Sequence, residues 1–414
     1  EARPQTFDIE RMLELAPIAD DEMATDPYAY LERADYLYHF AARFGSTAFS
    51  PAREQQIIAP KLHPSQPLRT GYGYATYLED WNEQDKWWHE RYDPVRFAAT
   101  YFEPAEYAAM LSADYDGHGG YMGRIADPDD PSLTISAVGI KNADPTMKVV
   151  MGGLSDLDLV YFQGMVEWFD QARDTLTGAD LYPFDVINFH HYSDNIQQQQ
   201  QIGQFGISPE RDNLRGKLEA IVQYRDQNPL LQDKELWLSE FGYDTNRHSE
   251  QRVPYDGIGT SDRQEVQGEW LVRAYLEIAA AGFDRAMAFT LEDVCDAEND
   301  VCGLFNNCGL ILNDASKNQP KKSWYYTYTL KNTLKGTVFA EDLSPQLVDG
   351  TDCSRNIPRV YRFAKPDNPN YTVYAVWSPT ACAKAPYKYD LNIGNASAAK
   401  LVELVAPSIA GKQS

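Results

Sequence analysis

Residues 184–192 read FDVINFHHY, a short apolar segment that ends in polar side chains. A predicted helix precedes this segment, with Ser155 as its N-cap, and another predicted helix follows from Ser208-Pro209. Short, nearly continuous apolar strands between helices are typical of parallel sheets that are covered on both faces. The segment therefore predicts one buried strand of an α/β fold.

The same alternation extends in both directions along the chain. Helices are predicted from Pro27, from Pro104, from a capping box of Ser261 with Gln264, and near 322–334. Further strands are predicted at 71–82, 147–152, 235–239 and 285–291. Regular succession of strand and helix indicates a parallel sheet with crossover helices. An open doubly wound sheet and a closed (β/α)8 TIM barrel both fit this order, but the phosphate-binding glycine motifs of the open sheets are missing.

From about residue 336 the pattern changes to strands alone. They are predicted at 358–364, 371–377, 388–393 and 400–405. We therefore expect two domains, an α/β barrel at 1–335 and a small β-sandwich-like accessory domain at 336–414.

Composition excludes several classes of protein. The chain has 414 residues, of which 43% are apolar and 13% aromatic, and this excludes a disordered or fibrous protein. Its 61 acidic and 37 basic residues give a net charge of −24, which argues against nucleic acid or an anionic membrane surface as the partner. No run of about 20 apolar residues occurs, so we expect no membrane insertion.

The five cysteines contain no CxxC pair, which argues against a zinc ribbon or a thioredoxin-like centre. Three of them, Cys295, Cys302 and Cys308, share a polar loop in which a disulfide and reduced thiols are both open interpretations. Their pairing with each other or with Cys353 and Cys382 is left open. An odd number of cysteines leaves at least one thiol free.

Two glutamates, Glu83 and Glu240, stand at the ends of predicted strands, where parallel α/β folds place their ligand sites. Two carboxylates across a cleft are what glycosidic cleavage needs. One protonates the leaving oxygen, and the other attacks the anomeric carbon or activates water. The acid must keep its proton near neutral pH, so its pKa must be raised. The aromatic residues that we expect to stack on sugar faces at the rim are Trp81, Trp87, Trp88, Trp237 and Tyr243.

The pair His190-His191 has two interpretations. Both residues are possible metal ligands, but no HExxH or similar set supports a metal site. Adjacent residues of a strand point to opposite sides, so only one of the two can face the site. We expect that one to hydrogen-bond near the carboxylates, with no metal and no cofactor. A metal-dependent hydrolase built on His190 and His191 is the alternative.

At these residues the sequence resembles the clan A glycoside hydrolases, the 4/7 superfamily of retaining (β/α)8 barrels. Trp81-Asn82-Glu83 is similar to the clan's Trp-Asn-Glu-Pro motif, with Gln84 where proline is usual. Glu240, within LWLSEFGYD, matches the nucleophile at the end of the seventh strand, and His190-His191-Tyr192 match the position that contacts it. The eighth strand would place Glu292 at the cleft. The resemblance covers about residues 25–335.

The resemblance implies roles for these residues. Glu83 would be the acid/base, Glu240 the nucleophile and Asn82 a ligand of the sugar 2-hydroxyl, in a double displacement on a poly- or oligosaccharide. The strands after residue 336 look like the accessory sandwich of the xylosidase/iduronidase and agarase/porphyranase groups. A non-catalytic carbohydrate-binding protein on a decayed barrel is the alternative from another class. The glycan, endo or exo action and the oligomeric state are left open.

Length adds one expectation about the barrel. Three units before the fourth strand need roughly 90 residues, whereas that strand is predicted to end at residue 82 after one clear helix. We therefore expect the chain to lack the first barrel strands and to cut the accessory domain short.

It begins Glu1-Ala2-Arg3-Pro4 without a signal sequence, and we expect a secreted or periplasmic protein. The acidic balance disfavours a sulfated or uronate substrate unless a local patch of Lys and Arg overrules it.

Overall fold

The computed structural model describes residue 18 and residues 23–86, 101–173, 181–195, 206–249, 251–295, 303, 305–313, 319–345, 358–379, 390–394 and 396–414. These residues form two compact units. The first comprises the chain up to His190 together with Arg225–Glu235. The second comprises His191–Tyr224 and the chain from Leu236 onward.

The first unit alternates helices with parallel strands. In chain order it contains α1 (Leu31–Phe44), β1 (Tyr77–Asn82), α2 (Pro104–Gly120), β2 (Arg124–Ala126), β3 (Thr134–Ser136), β4 (Lys148–Gly153), α3 (Leu159–Trp168) and β5 (Val186–His190). β1 pairs with β4 and β4 with β5, both in parallel, while β2 and β3 form an antiparallel hairpin. All described residues of β5 are buried, as a strand covered on both faces requires.

The N-terminal ends of two helical segments in this unit can be compared with those predicted from the sequence. Asp26 Oδ1 accepts a hydrogen bond from the Tyr28 amide at 2.9 Å, and Pro27 opens the single 3-10 turn that leads into α1, as predicted. The predicted N-cap of α3 at Ser155 is wrong, because Asp158 caps a helix that begins at Leu159. Both the amide and the hydroxyl of Ser155 donate instead to Asp85, a partner 70 residues earlier in the chain.

The second unit holds the remaining parallel strands. In chain order its elements are α4 (Leu214–Gln227), whose last three residues belong to the first unit, β6 (Glu235–Phe241), whose first residue does too, α5 (Arg263–Ala281), β7 (Arg285–Ala288) and α6 (Lys322–Thr333). β6 pairs with β7 in parallel. The parallel strands and intervening helices of both units confirm the α/β class.

Two helices of this unit begin later than predicted. Residues 209–213 form turns, and α4 starts only at Leu214 rather than at Ser208-Pro209. The capping box of α5 is Asp262 with Glu265, one residue after the predicted Ser261 and Gln264. The Asp262 carboxylate accepts from two amides of the first turn, which would otherwise have no partner within the helix.

The C-terminal strands pack on the helices of this unit. The strands β8 (Val338–Asp342), β9 (Arg359–Lys365) and β10 (Asn368–Trp377) form an antiparallel sheet, and β11 (Val402–Glu403) pairs with β12 (Lys412–Gln413). A buried cluster joins the sheet to α5 and α6 through Val272, Leu276, Tyr326, Tyr361 and Phe363. The boundary at 335/336 and the β-sandwich stay predictions.

Two predicted C-terminal strands differ from the structure. Residues 390–393 form no strand, and 388–389 lie outside the described residues. The strand predicted at 400–405 is reduced to Val402–Glu403.

Among the helices that the structure describes, none combines the length and the apolar character needed to cross a bilayer.

Candidate functional site

The chain leaves β1 through an unusual backbone at Glu83. Asn82 is still in register with Gly153, and the Glu83 amide donates to the Gly153 carbonyl at 2.9 Å. Trp81 and Glu83 have φ values of 88° and 49°, in the left-handed region that side chains with a Cβ disfavour. Such strained residues cluster at functional sites, where the surrounding structure holds them in place. The Glu83 carboxylate thus leaves the strand end at a defined angle.

His190, at the end of β5, holds the Glu83 carboxylate. Its Nδ1 lies 3.0 Å from Glu83 Oε1, and its Nε2 lies 3.8 Å from Glu79 Oε1. Asn188, two residues earlier and on the same face of β5, donates to Glu79 Oε1 at 2.8 Å. The imidazole is 1% exposed, whereas the Glu83 side chain is 15% exposed. Glu83 is therefore oriented from a buried side and is accessible from the other.

Gly153 makes room for this histidine. A Cβ atom at residue 153 would come within 2.1 Å of His190 Nε2, a distance that real carbon atoms do not reach. Any larger residue would displace the imidazole. The glycine at the end of β4 is thus required by the close approach of His190.

Gln84 occupies the position at which the glycoside hydrolases that the sequence resembles usually have proline. The side chain is buried, its Nε2 donates to the Gly152 carbonyl at 2.9 Å, and its backbone carbonyl accepts from the Phe102 amide. A proline could not supply the side-chain amide of this bond. Gln84 therefore fixes the loop after β1 by a side-chain hydrogen bond.

The other face of β1 is anchored by a buried ion cluster. Arg33 of α1 donates from Nε to Asp114 of α2 at 2.6 Å, and a second guanidinium nitrogen contacts Asp80. The Arg33 guanidinium also lies 4.8 Å from the centre of the Trp81 ring, whose edge contact with Phe102 has a centroid distance of 5.6 Å. No sequence motif marks Arg33 or Asp114, which only the fold brings to β1.

The Asp85 carboxyl group, next to this loop, makes stability depend on pH. Burial raises the pKa of Asp85 to about 6, although Ser155 donates to both of its oxygens. Because the folded-state pKa exceeds the ordinary value of 3.8, this group stabilises the fold below about pH 4 and loses that contribution as pH rises through 6.

We expect Asp85→Asn to remove this dependence. The free energy of unfolding of the wild-type protein should fall by ~1–3 kcal/mol more than that of the variant between pH 4 and pH 7. Chemical denaturation at pH 4, 5.5 and 7 measures this difference. Equal pH slopes for the two proteins would contradict the assignment.

In the second unit, Glu240 stands near the end of β6 and is held by Tyr192. The Tyr192 hydroxyl donates to Glu240 Oε2 at 2.9 Å, and the His191 amide donates to the Glu240 carbonyl at 2.9 Å. The Tyr192 ring contacts Phe305 at a centroid distance of 4.5 Å. A phenol that donates to a carboxylate stabilises its ionised form and fixes its orientation.

Asp212, in the turns before α4, positions both neighbours of Tyr192. His191 Nε2 lies 2.6 Å from Asp212 Oδ2, which also accepts from the Ser193 hydroxyl at 3.0 Å. Lys217 donates to the other oxygen at 2.6 Å. Asp212 is 5% exposed, so these charge-assisted bonds are shielded from water. Sequence reasoning missed Asp212 because a single aspartate in a loop carries no pattern.

These contacts bear on the metal interpretation. His190 and His191 contact different carboxylates, Glu83 and Asp212. Carboxylate and imidazole are metal ligands as well as hydrogen-bonding groups, and in the first unit Glu83 and His190 offer such atoms. Both ring nitrogens of His190 face carboxylate oxygens, which fits an orienting role for the imidazole.

Two of the predicted aromatic platforms are buried, and the position of Glu292 at the cleft stays a prediction. Trp237 is 5% exposed and Tyr243 2% exposed, so neither ring offers an open face to a sugar in this structure. The Tyr243 ring meets Trp270 edge-on at 5.3 Å, because the chain after β6 turns back onto α5. Glu292 is exposed and forms an isolated bridge with Ile311. Trp87 and Trp88 lie outside the described residues.

The loops after β6 and β7 are joined by a buried lysine. Lys321 Nζ donates to Asp293 at 3.2 Å, to the Thr245 hydroxyl at 3.0 Å and to the Asn307 carbonyl at 2.9 Å. Burial lowers the pKa of this lysine, while the Asp293 charge opposes that shift. The loops are therefore held together by a desolvated ion pair.

The cysteines of this region are in two states. Cys295 is disulfide-bonded, whereas Cys308 is a free, buried thiol, as the odd cysteine count predicts. Burial raises the pKa of the Cys308 thiol well above its ordinary value, which keeps it protonated and unreactive. Cys302, Cys353 and Cys382 lie outside the described residues.

Comparison with known proteins gives structural neighbours only. No protein-family model and no curated protein matches the sequence. A family 39 glycoside hydrolase from Bacteroides cellulosilyticus WH2 is similar with a TM-score of 0.42 and 15% identity, over 72% of this chain and 47% of that one. A monomeric β-xylosidase from Caulobacter crescentus CB15 is similar with a TM-score of 0.40 and 13% identity, over 81% and 52%.

A GH51 arabinofuranosidase from Xanthomonas axonopodis pv. citri is also similar, with a TM-score of 0.44 and 9% identity, over 88% of this chain and 60% of that one. This chain thus spans about half the length of the solved structures it matches. These structural neighbours are glycoside hydrolases, and at such identities and TM-scores they do not establish a family.

Proposed function

We propose that this chain is a retaining glycoside hydrolase on a (β/α)8 scaffold that cleaves O-glycosidic bonds of an oligo- or polysaccharide. One observation carries the proposal. A glutamate stands at the carboxyl end of a parallel strand in each unit, and each has its own orienting partner, His190 for Glu83 and Tyr192 for Glu240. A pair of carboxyl groups is what double displacement uses, and the carboxyl ends of parallel strands are where (β/α)8 enzymes carry their catalytic residues.

Glu240 is the nucleophile in this mechanism. Its carboxylate attacks the anomeric carbon while Glu83 transfers a proton to the leaving oxygen, so the glycosidic bond breaks and a covalent glycosyl-enzyme forms. The Tyr192 hydroxyl donates to the attacking carboxylate and fixes its orientation. Glu83, now a carboxylate, takes a proton from water, which displaces Glu240 and releases the sugar with its original anomeric configuration.

The surrounding residues support these two roles. His190 orients Glu83, and the exposed Asn82 beside it is available to bind the sugar 2-hydroxyl. Trp81 is half-buried between Arg33 and Phe102, two residues before Glu83 in the chain, and it is the candidate aromatic platform of the first unit. The disulfide at Cys295 supports a secreted or periplasmic location, where disulfides persist.

Product stereochemistry tests the function. The protein is incubated with a panel of aryl glycosides and soluble polysaccharides, and the first-formed anomer is observed by proton NMR. Retention is expected on every substrate that is cleaved, and it requires the two carboxyl groups to lie about 5–5.5 Å apart around the bond. Inversion would exclude the covalent intermediate. Binding without any turnover would favour the non-catalytic alternative, and activity lost to chelation would favour a metal-dependent hydrolase.

Asp212 provides a prediction of its own within this mechanism. Because it anchors residues 191 and 193 on either side of Tyr192, Asp212→Asn should lower kcat by about tenfold to a hundredfold through a misplaced Glu240. Tyr192→Phe should lower kcat as well, and the double variant should lose no more kcat than the more damaging of the two single variants.

The control is Asp226→Asn, an exposed α4 carboxylate that pairs with Arg225. Its kcat should equal that of the wild-type protein. Additive losses for Asp212→Asn and Tyr192→Phe would show that Asp212 does not act through Tyr192.

A further inference from the structure

The segment before β1 is bound tightly to the end of α1. Residues 71–75 donate five backbone hydrogen bonds to the carbonyls of residues 42–45, at 2.7 to 3.0 Å. The last carbonyls of a helix have no partners within it, so this segment satisfies them. Gly73 has a φ of +68°, and a Cβ atom there would meet nothing within 4 Å. The segment is thus a fixed surface feature.

Two tyrosines of this segment form an exposed stack. The rings of Tyr72 and Tyr74 lie 5.2 Å apart with 22° between their planes, and Tyr72 stacks in turn on Phe44 at 6.3 Å. Tyr74 is 77% exposed, one of the most exposed large aromatic side chains in the described residues. A fixed, exposed ring of this kind is a surface on which the apolar face of a sugar can stack.

Two arginines accompany the stack. The guanidinium of the exposed Arg69 lies 4.7 Å from the centre of the Tyr72 ring, and that of Arg43 lies 5.7 Å from it. Neither arginine has a carboxylate partner anywhere in the described ranges. The stack therefore carries positive charge that no carboxylate of the described residues pairs with.

We propose that Arg69, Tyr72 and Tyr74 form a surface binding site for a glycan whose sugar rings carry an anionic group. The ring stacks on Tyr74, and its carboxylate or sulfate accepts hydrogen bonds from Arg69, whose planar guanidinium suits both groups. Arg43 adds charge from below the stack. The inference deepens the proposed function by naming a substrate class, and it rests on that function for the choice of a glycan as ligand.

The small number of basic residues at the site argues against a nucleic acid as its ligand. Binding of nucleic acid requires clustered basic residues that neutralise many phosphates, and two arginines on a chain with a net charge of −24 do not supply them. The acidic balance of the whole chain disfavours sulfated or uronate glycans, and in this proposal the local pair Arg43 and Arg69 outweighs it. A short glycan segment with one negative charge per sugar ring carries about as many charges as the guanidinium groups of Arg69 and Arg43 can pair with.

Affinity electrophoresis of the full chain tests the site. The chain carries Glu240→Gln so that no polymer is degraded, and the gels contain polygalacturonate, a sulfated galactan, neutral xylan or no polymer. We expect retardation by at least one anionic polymer, weakened at higher salt. Arg69→Ala should weaken it by about tenfold and Tyr74→Ala by about fivefold. Retardation by the carboxylated or by the sulfated polymer alone identifies the anionic group.

The matched control is Tyr36→Ala, which removes a tyrosine of α1 that is 68% exposed and has no part in the stack. It should bind like the parent chain, and thermal unfolding checks that all variants fold. Equal binding of neutral xylan, unchanged binding in both Arg69→Ala and Tyr74→Ala, or equal binding of poly-dT through these residues would overturn the proposal. Binding here with no hydrolysis by the active chain would refute the proposed function and leave this site standing.

Discussion

Replacing Glu240 by Gln is expected to lower kcat by more than about 10³-fold on every glycoside that the wild-type protein cleaves. The amide retains the size of the side chain and can still accept the hydrogen bond from Tyr192, so the fold should persist. It cannot attack the anomeric carbon, and no covalent intermediate can form. Initial rates on an aryl glycoside, together with the thermal midpoint of unfolding, measure both halves of this expectation.

Azide distinguishes a lost nucleophile from general damage. In Glu240→Gly the azide ion can enter the space of the missing carboxylate, and we expect a glycosyl azide of inverted anomeric configuration. The matched control is Glu235→Gln at the start of the same strand, where the carboxylate accepts from the Tyr77 hydroxyl at 3.2 Å. Its rate should equal that of the wild-type protein. Activity of Glu240→Gln within about tenfold of wild type would remove Glu240 from the mechanism.

Replacing Glu83 by Gln should give a loss that depends on the leaving group. General acid catalysis contributes about 10²–10⁴-fold, and a poor leaving group needs all of it. A dinitrophenolate leaves without a proton, so glycosides of this kind should form the glycosyl-enzyme rapidly and then stall, because Glu83 is also the base for water. A burst of phenolate followed by slow turnover is the expected signature in stopped-flow measurements.

Azide also tests the acid/base role of Glu83. In Glu83→Gly it should restore turnover and yield a glycosyl azide of retained configuration, the opposite outcome from Glu240→Gly. The control is Glu167→Gln, on an exposed position of α3 where the carboxylate accepts from the Gln171 side-chain amide at 3.1 Å. Equal losses on activated and unactivated substrates would argue that Glu83 is not the acid.

Much of the scaffold follows from local sequence. The apolar runs at 147–152, 184–190 and 235–239 become β4, β5 and β6 to within a few residues. Pro27 and Pro104 open helical segments as predicted, since proline fixes the backbone angle that the first helical turn requires. Hydrophobic periodicity and capping act over a few residues, so a single chain displays them.

Two of the N-cap errors share one physical cause. Ser155 and Ser261 are plausible N-caps in isolation, but Ser155 bonds to Asp85 and Ser261 to Glu269. A hydroxyl has several possible acceptors, and tertiary structure decides which is nearest. Likewise, the aromatic residues beside Glu240 include rings that face the core, because the direction of the chain after β6 is not a local property.

The sequence by itself determines the α/β class and the positions of Glu83 and Glu240 at strand ends, because both depend on local periodicity. Only the tertiary structure decides which groups serve them. His190 meets Glu83 across 107 positions, Asp212 meets His191 across 21, and Tyr192 meets Glu240 across 48. It also buries Trp237 and Tyr243 while leaving Tyr74 exposed. These outcomes depend on contacts between distant residues, which the packing of helices and strands alone brings together.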